Sequence, residues 1–358
     1  MNRNKGKYFT IADLKKIEKD CNWLFLLGER ANGKSYSVKQ KVLKDAFDNI
    51  DGKTCTRQFA YIRRFDLDCK DSVCEPYFAD MPVSEITNGL YTMISVYRKR
   101  IYFANINEEL KVERGVCIGQ CFALSSGEHY KSLMFPNIYS IIYEEVISQD
   151  NKYLYQEPFA LQQLISTILR DRIGKVYLIG NTISRICPYY NDFGLSNIEN
   201  LGQGESNIYH IDNTTLKVYR CKSRFYNSGM FFGQASKNIT KGEYYTEVQP
   251  HLIGRLQDYD VKHTIVVKYE NFKFLCRLLK SKADYFYVWY VEPKTSDIQK
   301  DTRVIAREYN PSPLWSYGFF PLSRGEQVAF DMLIKEKLVT FSDNLTGTEF
   351  KGVLTKLV

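Results

Sequence analysis

The sequence of 358 residues lacks any long apolar run, and this absence limits the classes of protein to which it can belong. Its apolar stretches are short, such as residues 285–291, whereas a helix that crosses a membrane needs about 20 apolar residues in a row. The basic residues near the N-terminus are not followed by an apolar segment. We therefore expect neither a signal peptide nor a membrane partner.

Histidine is scarce, and the cysteines do not form a recognisable framework. There are four histidines and nine cysteines, an odd number that is scattered along the chain. The pairs Cys69/Cys74 and Cys117/Cys121 have the wrong spacing for a zinc knuckle. Reduced, buried thiols in a cytosolic protein are the expected state.

A strongly basic tail is also absent. The 49 Lys and Arg exceed the 41 Asp and Glu by eight, which permits a polyanionic partner without requiring one. Hydrophobic residues at 44% and charged residues at 25% are typical of globular chains, and the length suggests about two domains. A disordered or fibrous protein is excluded.

The strongest motif in the sequence is a phosphate-binding loop. A short apolar run, 23–27, precedes the sequence GERANGKS at 28–35, which fits G-x-x-x-x-G-K-[ST], and a helical pattern follows over 36–47. Glycines let backbone N–H groups turn toward phosphates, and the helix presents its positive end to them. The motif predicts that ATP is bound by Gly28, Arg30, Ala31, Asn32, Gly33, Lys34 and Ser35, with the Ser35 hydroxyl on Mg²⁺.

Two later strands supply the polar groups that such a loop requires. The apolar segment 137–143 ends in Glu144 and Glu145, so Glu144 is predicted to hold Mg²⁺ through water and Glu145 to activate the attacking water. The segment 175–180 is followed by Asn181, which we expect beside the γ-phosphate because ligands gather at the carboxyl edge of a parallel sheet. A simple turn remains the alternative for Asn181.

The remaining pattern predicts the fold class. A strand over 58–64 and a β-hairpin over 101–124 complete an α/β domain with a mainly parallel sheet. Residues 208–219 have strand character, and 188–207 suggest loops. Strands dominate over 263–291, and a capping box at 323–326 predicts a helix over 327–338. The predicted domains are 1–208, a linker or lid at 209–254, and a smaller α+β domain at 255–358.

With these motifs in this order, the sequence resembles a known family, the phi-29-type DNA-packaging ATPases of small tailed phages. The segments that carry the resemblance lie mostly within residues 20–192. They are GERANGKSY (28–36), YIRR (61–64), KSLMFPNIYSIIYEEV (131–146), STILRDR (166–172) and LIGNTISRICPYY (178–190). The resemblance implies an ASCE-type P-loop NTPase domain followed by a degenerate RNase-H-like nuclease domain without cleavage activity.

The resemblance also implies residue roles. Lys34 and Ser35 match the phosphate- and magnesium-binding positions, Arg30 an arginine usual in the loop, and Glu145 the catalytic glutamate. Glu144 stands where the family usually has Asp, which is a departure. Arg170 matches an arginine finger delivered into the neighbouring subunit, Lys131 a basic residue that also acts across the subunit boundary, and Asn181 the γ-phosphate sensor.

The partners implied by the resemblance are those of a packaging motor. They are double-stranded DNA, further copies of the chain in a ring expected to be a pentamer, the portal or connector protein of the head, and optionally a structural packaging RNA. The implied location is the host cytoplasm, with transient attachment to the viral prohead. Arg63 and Arg64, at a strand end, are candidate DNA contacts, with solvated surface charge as the alternative.

The leading interpretation is therefore an ATP-driven translocase of double-stranded DNA that packages a viral genome. Three alternatives stay open at this point. They are a P-loop kinase of a small molecule, a terminase large subunit with an active nuclease, and a structural nucleic-acid binder, which a complete phosphate loop disfavours.

Overall fold

The structure, a computed structural model, describes residues 8–148, 152–182, 187–195, 198–222, 248–284, 286–299, 301–318, 328–329, 331–333, 335 and 338–357. It divides into two compact units, Met1–Tyr244 and Tyr245–Val358. Each unit is built around its own sheet. No helix among these described ranges is long and apolar enough to cross a membrane.

The first unit is organised by a nine-stranded sheet in the order β10-β11-β1-β9-β8-β4-β7-β6-β5. The six strands from β11 to β7 are parallel, and β10, β6 and β5 are antiparallel to their neighbours. The strands are β1 (Trp23–Gly28), β4 (Gln58–Arg63), β5 (Met93–Tyr97), β6 (Arg100–Ile106), β7 (Val112–Ala123), β8 (Ile138–Glu144), β9 (Lys175–Asn181), β10 (Ser206–Ile211) and β11 (Thr214–Arg220), while β2 (Ile50–Asp51) and β3 (Thr54–Cys55) form a separate ribbon.

Helices cover both faces of this sheet, as a parallel sheet requires. The helices of the first unit are α1 (Ile11–Ile17), α2 (Lys34–Phe47), α3 (Asp71–Phe78), α4 (Val83–Ile86), α5 (Glu157–Leu169) and α6 (Pro188–Asp192), with 3₁₀ turns at Asp66–Cys69, Leu124–Tyr130 and Ile198–Asn200.

Alternating side chains of the strands build two separate cores. Leu24 and Leu26 of β1 pack in a core with apolar residues of α2 and α3. Phe25 and Leu27, which alternate with them, pack in the other core with residues of α5 and α6. Strands that are apolar on every residue are typical of this burial on two faces, which is why the 23–27 run was readable from sequence.

The strand order places the phosphate loop and the acidic strand at one edge. The loop follows β1, Asn181 ends β9, and Glu144 ends β8. β9 lies between the other two strands and is parallel to both, with Gly28 opposite Asn181 and Ile179 opposite Glu144. The carboxyl ends of these three strands therefore meet.

The second unit has a six-stranded sheet in the order β16-β15-β12-β13-β14-β17. The three strands that come first in the chain, β12, β13 and β14, form an antiparallel meander. β15 pairs in parallel with β12, and β16 pairs in parallel with β15. The mixture of antiparallel and parallel strands with a C-terminal helix makes this unit α+β, and its RNase-H-like character stays a prediction. The elements are β12 (Tyr259–Tyr269), β13 (Phe272–Ser281), β14 (Tyr287–Pro293), β15 (Arg303–Ala306), β16 (Trp315–Tyr317), β17 (Val339–Phe341) and α7 (Asn344–Leu357), with a 3₁₀ turn at Leu256–Asp258.

Several local predictions differ from the structure. The strand character of 208–219 belongs to two antiparallel strands, β10 and β11, joined by a turn. β5 adds an unpredicted strand to the hairpin, and α6 lies in a region predicted as loops. Because β11 pairs with β1, the first unit extends beyond the predicted boundary at 208. Most of the predicted linker, the capping box and much of the 327–338 helix lie outside the described residues.

Candidate functional site

The phosphate loop encloses a cavity of about 860 Å³ at the carboxyl edge of the first sheet. A cavity of this size suits a small ligand. Its lining comprises Tyr8, Phe9, Thr10, Ile11, Arg30, Ala31, Asn32, Gly33, Lys34, Ser35, Tyr36, Ser37, Lys39, Gln40, Asp80, Glu145 and Asn181. The cavity thus gathers the predicted loop residues, except Gly28, together with Glu145 and Asn181.

The loop geometry follows from its residues. Gly33 has φ +95°, a left-handed conformation that glycine adopts readily, and a Cβ there would lie 2.5 Å from the Phe9 carbonyl oxygen. Gly33 is the N-cap of α2 and makes no side-chain capping hydrogen bond. The N–H of Lys34, the first residue of α2, donates to Oδ1 of Asn32 at 3.3 Å, and the positive end of the helix lies at the cavity wall.

Lys34 is buried and held by oxygen atoms of the loop. Its Nζ donates to the carbonyl oxygens of Gly28 (3.2 Å) and Glu29 (2.6 Å) and to Oδ1 of Asn32 and of Asn181 (both 3.3 Å). Burial lowers the pKa of the ammonium group, and negative charge nearby, including Glu144, opposes part of this shift. These contacts hold the buried ammonium group of Lys34 at the place where a phosphate would bind.

Glu144 is buried at the end of β8 and has a defined partner. Oε1 of Glu144 accepts a hydrogen bond of 2.6 Å from the Tyr77 hydroxyl of α3, and the Tyr77 ring stacks on Tyr61 at 4.5 Å. Burial, reinforced by the Glu144 charge, raises the Tyr77 pKa well above its usual value, so Tyr77 remains a donor. Ser35 lies in the first turn of α2 on the cavity wall.

Glu145 is exposed and is held by the YIRR strand. It has φ +57°, and its Oε2 accepts from Nη2 of Arg63 at 2.9 Å. Nη2 of Arg64 donates to the carbonyl oxygens of Glu145 and Val146, both at 3.1 Å. A positive φ at a glutamate is strained, and these contacts keep it in place.

The prediction that Arg64 binds DNA is wrong. Arg64 is 7% exposed and forms a two-point ion pair with Glu157, at 2.8 Å through Nε and 3.0 Å through Nη2. Glu157 also accepts from the hydroxyls of Tyr143 (2.8 Å) and Tyr189 (2.7 Å). Arg63 is half-buried and paired with the exposed Glu145, and its role as a DNA contact stays a prediction.

Lys131 and Arg170 lie away from the cavity of their own chain. Lys131 is exposed and forms an ion pair with Glu128 at 2.6 Å. Arg170 is exposed at the end of α5, has φ +53°, and donates to the Leu133 carbonyl oxygen at 3.2 Å. Both side chains are therefore on an outer surface of the first unit, and their roles toward a second subunit stay predictions.

Sequence reasoning missed several residues of the site. Residues 8–11 line the cavity, with the Phe9 N–H donating to the Asn32 carbonyl at 2.7 Å and Ser37 Oγ donating to the Phe9 carbonyl at 2.8 Å. Lys39 contacts Asp80 at 2.5 Å beside the Tyr77 carbonyl. No local sequence signal marks these positions, because their partners are distant in the chain.

Among the residues that the structure describes, no group of three or more His, Cys, Asp or Glu side chains is placed to hold a metal ion. The Ser35 and Glu144 pair is smaller than such a group and would depend on phosphate oxygens and waters to complete a magnesium site.

Comparisons with known proteins show which proteins the chain is similar to. The model of the podovirus DNA encapsidation protein (Gp16) family matches residues 4–213. The DNA packaging protein of Bacillus phage B103 is 31% identical over 180 residues, which is 48% of this chain and 47% of the relative. That of Bacillus phage phi29 is 25% identical over 174 residues, 48% of this chain and 46% of the relative. The chain thus spans about half the length of the curated relatives it matches.

Solved structures share the fold over nearly the whole chain. The bacteriophage phi29 viral genome packaging motor assembly is similar with a TM-score of 0.58 and 19% identity, covering 98% of this chain and 100% of that one. The phi28 gp11 DNA packaging motor is similar with a TM-score of 0.51 and 16% identity, covering 99% of both chains. At these identities the likeness shows the fold.

Proposed function

The chain belongs to the podovirus DNA encapsidation protein (Gp16) family, and from this premise we propose that it is an ATP-driven translocase of double-stranded DNA. In this role it packages a viral genome into a preformed head. The observation that carries the proposal is the cavity in which Lys34, Asn181 and Glu145 converge at the end of three neighbouring parallel strands.

The residues of the cavity fit a nucleoside triphosphate. Lys34 Nζ is buried against four oxygen atoms that a phosphate oxygen can replace as its partners. The first turn of α2, with Lys34 and Ser35 in the cavity wall, would supply N–H donors to the same place. Asn181 bonds to Lys34 and would sense the γ-phosphate through this contact.

Glu144 and Glu145 would have different roles in the reaction. Ser35 and Glu144 would hold Mg²⁺, which neutralises charge on the phosphates, and the Tyr77 hydroxyl fixes the orientation of Glu144. Glu145 would accept a proton from the attacking water. Because its carboxylate is paired with Arg63, that ion pair must loosen before Glu145 can reach the water.

Hydrolysis would be completed by a neighbouring copy of the chain. Charge on the equatorial oxygens of the transferred phosphoryl group is stabilised by an inserted guanidinium, which can accelerate hydrolysis by ~10³–10⁵. Arg170 is exposed and lies outside the cavity of its own chain, as an arginine acting on another subunit requires. We place Lys131 on the same surface of a ring, taken to be a pentamer.

The second unit is proposed as a binding module with an RNase-H-like fold. Its partners would be the portal or connector protein, DNA or a structural packaging RNA, and the ring would assemble in the host cytoplasm and attach transiently to the prohead. Incubation of the full chain with plasmid and Mn²⁺ tests the alternative of an active nuclease, since cleavage that persists in purified protein would contradict this role.

The experiment that tests the proposed function is ATP hydrolysis with and without non-specific duplex DNA. We expect DNA to stimulate release of inorganic phosphate by the wild-type chain, and we expect Lys34→Ala and Glu145→Gln to abolish it. A kinase would transfer the phosphoryl group to a small molecule instead. Turnover by a monomer that does not respond to DNA would contradict the proposal.

A further inference from the structure

The β-hairpin formed by β5 and β6 carries a basic turn in a fixed conformation. Its two turn residues, Arg98 and Lys99, have φ values of +51° and +62°, a region that favours Asn and Gly in two-residue hairpin turns. The Asp71 carboxylate accepts from both backbone N–H groups, at 2.8 Å from Arg98 and 2.9 Å from Lys99. The turn is thereby attached to the start of α3.

Three arginines surround an exposed tyrosine next to this turn. The guanidinium carbons of Arg98 and Arg114 lie 5.2 and 4.4 Å from the centroid of the Tyr97 ring, and Arg100 is the cross-strand neighbour of Tyr97. We call Tyr97, Arg98, Arg100 and Arg114 the Tyr97 cluster. Within the described part of the chain, none of its guanidinium groups forms an ion pair. Because these groups carry like charges and lie around one ring, they repel each other.

The acids nearest to the turn are already occupied. Both oxygens of Asp71 accept backbone N–H groups of the turn, and Asp66 is bonded to Lys99 Nζ at 2.5 Å. Asp71 keeps its charge, but in the described ranges neither it nor Asp66 forms an ion pair with an arginine of the Tyr97 cluster, so these guanidinium groups are open to an anionic partner from outside the chain. Arginines that rest on an aromatic ring keep their N–H donors available and lose little freedom on binding a phosphate.

Strand register places the turn at the carboxyl edge of the sheet. Arg100 lies opposite Gln120 of β7, the Lys99 carbonyl accepts from the Cys121 N–H at 2.7 Å, and Arg63 lies opposite Ala123 of the same strand. The turn with Arg98 and Arg100 thus lies toward the edge that also carries the Arg63–Glu145 ion pair and the phosphate loop, whereas Arg114 lies opposite Ala104 near the start of β7 and reaches the Tyr97 ring from that side.

We propose that the Tyr97 cluster is a contact surface for the sugar-phosphate backbone of double-stranded DNA. The inference rests on the proposed function, because it names the residues with which the translocase holds its DNA. Guanidinium groups without base-reading geometry suit a protein that must accept every sequence. Arg63 and Arg64, the arginines that sequence had suggested, form ion pairs within the chain, whereas the described residues supply no ion-pair partner to Arg98, Arg100 or Arg114.

The test is a triple variant of the full chain, Arg98→Gln, Arg100→Gln and Arg114→Gln, titrated onto a fluorescent duplex of non-specific DNA at several salt concentrations. We expect the affinity to fall roughly ten- to a hundredfold, and the slope of log affinity against log salt to decrease in magnitude by about 2–3, because up to three phosphate contacts are lost. DNA-independent ATP hydrolysis should be unchanged, which shows that the fold and the cavity are intact.

Two control variants show whether a loss of DNA affinity is specific to the charges of the Tyr97 cluster. Arg57 lies over the Tyr139 ring at 5.1 Å, directly before β4 and hence at the opposite edge of the sheet. Arg57→Gln should leave both DNA affinity and salt slope unchanged. A triple Arg→Lys variant of the cluster should retain most of the salt slope, since the charges remain.

The outcomes separate this inference from the proposed function. If the wild-type chain binds duplex DNA and the triple Gln variant binds it equally well, the inference is overturned while the proposed function stands. If the variant loses affinity only for duplex RNA, or alters only the mass of the assembly, the cluster serves another partner and the inference is equally overturned. If the wild-type chain binds no DNA and hydrolyses ATP without responding to it, both fail.

Discussion

At the scale of single residues, the site depends on how Lys34 is satisfied before a ligand arrives. A buried ammonium group is costly unless it is hydrogen-bonded, and here four oxygen atoms surround Nζ. Since burial lowers its pKa, an anion that brings negative charge to the loop favours the protonated form. Binding of a phosphate and protonation of Lys34 therefore support each other.

Replacing Lys34 by Ala should lower affinity for ATP with Mg²⁺ by about a hundredfold. Two charge-assisted hydrogen bonds to phosphate, each worth roughly 1.5 kcal/mol or more, account for this loss. Isothermal titration calorimetry of the folded variant measures it. Lys44→Ala is the matched control, because Lys44 is on the same helix and forms an exposed ion pair with Asp48 at 3.5 Å. Equal affinity of the Lys34 variant and wild type would contradict the assigned site.

At the scale of secondary-structure elements, a buried ion pair joins the YIRR strand to α5. Arg64 of the segment after β4 binds Glu157 at the start of α5, and Arg64 also holds the backbone of residues 145–146 after β8. Tyr143 and Tyr189 complete the hydrogen bonds of Glu157. The position of the Glu145 backbone thus depends on α5.

Glu157→Gln should destabilise the first unit by about 3–5 kcal/mol, because it leaves the buried Arg64 charge without a counterion. The loss is measured by denaturant unfolding followed through circular dichroism. Asp48→Asn, which removes one partner of the exposed Lys44–Asp48 pair, should cost less than about 1 kcal/mol. Similar small losses in both variants would show that Arg64 is satisfied without Glu157.

The elements that sequence predicted are those with a local signature. The apolar runs before residues 28 and 144 are patterns of adjacent residues, and the structure has strands β1 and β8 at these positions. The spacing of the phosphate loop is likewise a pattern of adjacent residues. The partners of Arg63 and Arg64 lie 82 and 93 residues away, so no local pattern distinguishes buried arginines from DNA contacts. The cavity wall at residues 8–11 and the positive φ of Glu145 were unreadable for the same reason.

In the second unit, Glu270 lies in the turn between β12 and β13, and its raised pKa predicts that the stability of the protein depends on pH. Burial raises its pKa from 4.5 to about 7, against the opposing effects of Tyr269 and Lys356. The native state then binds a proton that the unfolded chain has released, so stability falls as pH rises from about 4.5 to 7 and is level above.

Glu270→Gln removes this titration. The variant should be roughly 1–3 kcal/mol more stable than wild type at pH 8, with little difference near pH 4.5. Unfolding curves of both proteins across this range measure the difference. Glu292→Gln should show no such gain, because Glu292 is paired with Arg277 at 2.7 Å. A difference between the Glu270 variant and wild type that does not change with pH would contradict the raised pKa.

At the scale of the whole molecule, the residues of the proposed ATPase site lie in two separate places on the first unit. The phosphate loop, Glu145 and Asn181 meet in one cavity, whereas Arg170 and Lys131 lie outside that cavity on the same unit. Sequence could assign these two residues only through the family resemblance. Assembly into a ring would bring the Arg170 surface of one subunit to the cavity of the next.

The most direct test of this account is ATP hydrolysis by mixed subunits in the presence of duplex DNA. Glu145→Gln and Arg170→Ala should each be inactive alone, since every site lacks either its base or its finger. In a 1:1 mixture, roughly one site in four would pair an intact Glu145 with an intact Arg170 from the adjacent subunit, so activity should return to about a quarter of the wild-type rate. A mixture no more active than its two components would contradict catalysis shared between subunits.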